Sequence, residues 1–133
     1  MLLAMAEQQG IQSDVLPRIA TGFCSGLSRT GGLCGAISGA VMGIGLALGR
    51  PEPGGVIDPA YRAVRSFLER FEAQFGAQTC LELTGVHLGT PEGQTAFREN
   101  DVFARCLEYA AGAAMLASQI IDQSGEENAQ TSG

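Results

Sequence analysis

Apolar residues recur at helical spacing along most of this chain, and no stretch of useful length shows the strict alternation of a strand. The clearest case follows Asp58-Pro59, where Tyr61, Val64, Leu68, Phe71 and Phe75 return every three or four residues before Gly76. Asp58 and Pro59 suit a helix start and Gly76 a helix stop, so the pattern predicts a helix over 58–75. A longer helix is expected from Asn100 or Asp101 to about Gln123. On it Val102, Cys106, Tyr109, Ala113, Leu116 and Ile120 share one face, and residues 110–114 (Ala-Ala-Gly-Ala-Ala) offer a second packing surface. Shorter helices are expected over 2–9, stopped by Gly10, and over 13–20, capped by Ser13-Asp14. Thr79-Cys80-Leu81-Glu82 matches a capping box that opens a short helix ended by Gly85, and Thr90-Pro91-Glu92 can start one more turn. Residues 21–32 are rich in turn formers and read as a loop.

The run over 33–48 is almost wholly apolar or small, and no charge lies between Arg29 and Arg50. A membrane-spanning helix needs about 20 predominantly apolar residues, and this run is shorter and interrupted by Gly35, Gly39, Gly43 and Gly45. It reads as a buried helix of a globular protein. Gly35, Gly39 and Gly43 recur every four residues, line one face and admit a close neighbour. Interior glycine costs a helix about 0.5–1 kcal/mol relative to alanine. Close packing, a bound group near Gly35 and Gly39, or both must therefore compensate.

Together these elements predict an all-α protein: one compact domain of about five helices over 1–123, with a glycine-rich buried helix and a disordered polar tail over 124–133. A chain of 133 residues is the length of one such domain. Its 14 acidic residues outnumber 8 basic ones, all arginine, for a net charge of −6. That balance argues against nucleic acid and anionic membrane surfaces as partners. Without lysine the chain has no Schiff-base nucleophile and no P-loop lysine. The first residues carry neither a basic segment nor a long apolar one with a cleavage site, so the cytoplasm is the expected compartment. Cysteines are usually reduced there.

Candidate chemistry therefore falls to the four cysteines, Cys24, Cys34, Cys80 and Cys106. Their separations of 10, 46 and 26 positions complete no zinc or ferredoxin spacing. Placement says more than spacing. Cys34 stands at the start of the glycine-rich helix and Cys80 in the first turn of another, where free amides and the helix dipole favour thiolate. Cys106 lies on the apolar face of the last helix and Cys24 in the glycine- and serine-rich loop. The lone His87 reads chiefly as a loop residue, and no pair of carboxylates reads as catalytic.

Cys34-Gly35-Ala36-Ile37-Ser38-Gly39, with the glycine-rich run to Gly49, resembles the signature of the C_GCAxxG_C_C family of redox-active proteins. Phe71 to Gly76 leading into Cys80-Leu-Glu-Leu-Thr-Gly85, and then Arg105-Cys106-Leu-Glu-Tyr109, are similar to that family's later cysteine regions in order and spacing. The resemblance implies a compact helical domain whose cysteines are redox-active or hold a metal or iron–sulfur centre, with an electron-transfer or transporter-linked partner. It is carried by Cys34, Cys80 and Cys106. The family's first cysteine sits in the opening helix just ahead of the residues matching Leu2-Leu3-Ala4, whereas Cys24 lies in the following loop. The leading expectation is that Cys34, Cys80 and Cys106, with Cys24, converge as a metal site or as a thiol/disulfide pair. The alternatives are a helical homodimer whose cysteines are merely buried, and a thiol enzyme acting on a small sulfur-containing substrate.

Overall fold

The computed structural model describes residues 1–131, and helix is the dominant element. Seven right-handed α-helices are present among the described residues: α1 (Leu2–Gln8), α2 (Val15–Ala20), α3 (Gly35–Leu48), α4 (Asp58–Phe75), α5 (Cys80–Thr84), α6 (Pro91–Glu99) and α7 (Val102–Thr131). About five were expected. The count reaches seven because every short segment named from its start signals forms a helix of its own, including the one after Thr90 that was expected only as a turn. Thr79 Oγ1 accepts from the Glu82 amide (3.2 Å) to start α5, and Thr90 Oγ1 accepts from the Gly93 amide (3.0 Å) to start α6. The α6 start was read as a single turn, yet it continues to Glu99.

The expected helix over 58–75 is α4. Pro59 occupies its first turn, and Gly76 ends it in the left-handed conformation (φ +89°) with its amide bonded to Glu72 O at 2.8 Å. The last helix continues through the segment expected to be a disordered tail, reaching Thr131; the final two residues lie outside the described part. Its extra turns run beside α4, and Arg70 donates to Gln123 Oε1 at 3.2 Å. That neighbour supports a polar sequence whose own pattern shows no apolar stripe.

Helices α3, α4 and α7 enclose the main core, where Ile37, Ile44, Phe67 and Phe71 are fully buried and Ala40, Ala113 and Ala117 allow the axes to approach. Phe67, Phe71, Phe75 and Tyr109 form a chain of ring contacts through it. The opposite face of α3 receives α1. A Cβ at Gly39 would lie 2.7 Å from Met1 Cβ, and one at Gly43 would lie 3.0 Å from Met5 Cβ. The glycine stripe therefore admits a helix, as its spacing predicts. Gln9 fixes that helix by donating to Gly43 O at 3.1 Å. No helix among the described residues is long and apolar enough to cross a membrane.

Candidate functional site

The loop expected over 21–32 has a defined conformation. After a 3₁₀ turn (Thr21–Phe23), the chain makes a left-handed helical turn over Cys24–Arg29. Ser25, Gly26, Leu27, Ser28 and Arg29 all have positive φ, between +50° and +69°. Four of the five have side chains, and each such residue costs roughly 1–2 kcal/mol in this conformation. Bonds on both flanks hold the turn: Ser28 Oγ donates to Gly22 O (2.8 Å), and the amides of Thr30 and Gly32 donate to Gly26 O (3.3 and 3.1 Å). Gly26 is the one position that tolerates no side chain on spatial grounds, since a Cβ there would lie 2.4 Å from Cys80 Cβ. The turn thus lies directly against Cys80.

Cys34 and Cys80 are brought together by backbone pairing. Leu33 and Thr79 form an isolated antiparallel bridge, flanked by Cys34 N–H to Gln78 O (2.9 Å) and Cys80 N–H to Gly32 O (2.7 Å). Side chains alternate across such a bridge, so Cys34 and Cys80 share the face opposite Leu33 and Thr79 as diagonal neighbours. Diagonal pairs in a ladder are separated by roughly 7–8 Å. Cys106 arrives from α7, which is fastened to α5 by two bonds: Arg105 donates to Thr84 O (3.1 Å) and Tyr109 Oη to Leu83 O (2.9 Å). Cys24 arrives from the left-handed turn, its Cα 3.7 Å from where a Cβ on Gly35 would stand.

All four cysteines line one cavity of about 310 Å³. All four are free thiols; Cys80 is buried, Cys34 and Cys106 are half-buried, and Cys24 is exposed. The rest of the lining is mostly apolar, with Leu83, Leu88, Phe97, Phe103 and Tyr109 prominent. Phe97 and Phe103 meet edge to face at 6.4 Å. Two of the three hydroxyls in the wall are engaged, Tyr109 as above and Thr84 with Cys80 O at 2.7 Å; the third belongs to Ser25 of the left-handed turn.

Placement at a helix start was expected to favour thiolate at Cys34, and the structure reverses this. Burial raises the Cys34 thiol above its ordinary value, and the amides of Ala36 and Ile37 only partly offset that, with Cys80 adding a further rise. Cys106 is raised as well, first by burial and then by the charge on Cys80 and on Cys34, against a small lowering by Arg105. The mutual influence of the three groups is itself a sign of their proximity. Both thiols stay protonated at neutral pH.

Among the described residues, no group of three or more His, Cys, Asp or Glu side chains converges closely enough to hold a metal ion. The cysteines share a cavity without forming a ready donor cluster among the described residues. Gly35, considered above for a bound group, does line the cavity. Gly39 does not; the space beside it is filled by Met1. His87 stands outside the lining and accepts the Gly89 amide at Nδ1 (3.0 Å), which fixes its own loop. Sequence reasoning missed Ser25, Gly26, Phe97 and Phe103 as parts of the site. For the aromatic pair a signal existed, since large apolar residues flank the Asn100-Asp101 break on both sides.

Fold and site define a small, all-helical protein with four free thiols around one apolar cavity. The family model described as "Putative redox-active protein (C_GCAxxG_C_C)" matches residues 1–120, and the chain belongs to that family. No curated protein and no solved structure matches the chain.

Proposed function

We propose that this is a thiol-based redox protein in which two cysteines of the cavity reversibly form a disulfide. Oxidation breaks two S–H bonds, forms one S–S bond and passes two electrons and two protons to an acceptor; reduction reverses this. The observation that carries the reading is the meeting of four cysteines from remote segments around a single cavity. Cysteines that served only as small core residues would have no reason to collect there, which disfavours the purely structural alternative.

Cys34 and Cys80 are the pair most directly linked, by the bridge between their segments. A disulfide needs its Cα atoms within about 7 Å, so a diagonal pair must close by a small backbone movement. The strained left-handed turn, seated on Cys80 through Gly26, is the segment whose rewinding permits it. Cys106 borders the same space as a second partner, and exposed Cys24 is the thiol most open to another molecule.

The test is anaerobic purification followed by thiol counting before and after stoichiometric diamide, with metal analysis on the same sample. All four thiols should react in the reduced protein, and two should disappear on oxidation and return with dithiothreitol. A count that neither oxidant nor reductant changes contradicts the proposal, as does stoichiometric iron or zinc that shields the thiols.

A further inference from the structure

We infer that the oxidant serving this cavity is an uncharged, apolar two-electron acceptor of the quinone class, seated between the thiols and the rings of Phe97 and Phe103. The inference rests on the redox reading above and concerns the chemical nature of its partner.

No Arg, Asp, Glu or His side chain lines the cavity. Arg105, next to Cys106, is turned to Thr84 O. With the hydroxyls of Thr84 and Tyr109 engaged, the thiols and the Ser25 hydroxyl are the polar side-chain groups left to meet a ligand, and none of them is a cation. A charged oxidant such as glutathione disulfide would bring carboxylates and an ammonium group against lining side chains that carry no counter-charge. Stripping water from an unpaired ion costs several kcal/mol. An uncharged ring carries no such penalty.

Size and shape agree. A cavity of about 310 Å³ lies at the lower end of the range for small-molecule sites, roughly 300–1,000 Å³, and suits a single ring more than a peptide. Phe97 and Phe103 stand edge to face at the mouth, Phe103 being 58% exposed, so a flat entering molecule meets a ring. The S–H groups can donate to the two carbonyl oxygens of a quinone. Because burial keeps Cys34 and Cys106 protonated, protons are available to leave with the electrons. The step balances: two S–H bonds break, one S–S bond forms, and the quinone gains two O–H bonds to become the hydroquinone.

The experiment uses the full chain, reduced and anaerobic. It is mixed with duroquinone, whose blocked ring carbons prevent thiol addition, and separately with glutathione disulfide and with diamide. Two thiols should be lost per duroquinol formed, at least about tenfold faster than with glutathione disulfide, given the cost of an unpaired charge. Phe103→Glu, at an exposed position, should slow the duroquinone reaction about fivefold or more by placing a charge at the mouth. Glutathione disulfide reacting as fast as duroquinone, or Phe103→Glu leaving the duroquinone rate unchanged, overturns the inference. Diamide forming the internal disulfide while duroquinone is inert overturns the quinone assignment and leaves the redox reading standing. No internal disulfide with any oxidant overturns both.

Discussion

Two glycine-rich stretches lie next to each other in this chain and use glycine for opposite ends. In α3, Gly39 and Gly43 adopt ordinary helical backbone, and the absence of a side chain lets α1 settle onto the helix at Met1 and Met5. In the turn before it, Gly26 sits in left-handed backbone among neighbours forced into the same conformation, and the missing side chain makes room for Cys80. One stretch relieves a packing constraint, and the other sits inside a strained one. Strain held in place by surrounding bonds is a recurrent property of functional segments, and here it falls on the wall of the sulfur cavity.

That contrast can be broken by substitution. Gly26→Ala should have the largest effect, about 2–4 kcal/mol of lost stability, because it adds overpacking against Cys80 to a left-handed backbone penalty. It should also change the reactivity of Cys80 toward alkylating reagents, read by mass spectrometry. Gly39→Ala should cost about 1–3 kcal/mol in chemical denaturation by pushing Met1 and α1 outward, while the internal disulfide still forms. If the two variants lose stability equally and both block oxidation, the distinction between scaffold and site fails. Thr79→Ala removes the α5 cap and should cost about 1 kcal/mol. It tests whether the helix start beside Cys80 matters to oxidation rate beyond its part in stability.

The smallest effect is the pH dependence. Cys34 and Cys106 have thiols raised above the ordinary value of 9.0, so the folded protein holds protons that the unfolded chain has already lost. Stability from this source is fully present below the ordinary thiol value and declines as pH rises through it toward the folded values. Denaturation midpoints measured across that range should fall on the alkaline side only. Alkylation of Cys34 should likewise begin at a higher pH than that of a free thiol; onset at lower pH would return the site to the thiolate picture drawn from helix dipoles.

Much of the scaffold was legible. The stripe from Tyr61 to Phe75, the Asp58-Pro59 start and the Gly76 stop define α4, and Thr79 with Glu82 marks α5, because each is a local signal read within a few residues. The purpose of the glycine stripe was also legible as close packing, although not which helix would fill it. The left-handed turn was not, since four of its five residues carry side chains that avoid that backbone. They are held there by bonds from Ser28, Thr30 and Gly32 and by the seating of Gly26 on Cys80, which no residue pattern announces. The end of α7 was misjudged because residues 124–131 lack an apolar stripe and depend on α4 beside them. At Cys34 the sign of the thiol's response was misread. A dipole follows from sequence position, whereas burial at the same atom follows only from the fold.

The most direct test of the central claim is peptide mapping of the disulfide formed by one equivalent of oxidant on the protein at low concentration. The account predicts an intramolecular link within the set Cys34, Cys80 and Cys106, with Cys34 to Cys80 the dominant species. A product containing only Cys24 joined to Cys24 of another molecule, with the other three still thiols, would contradict it.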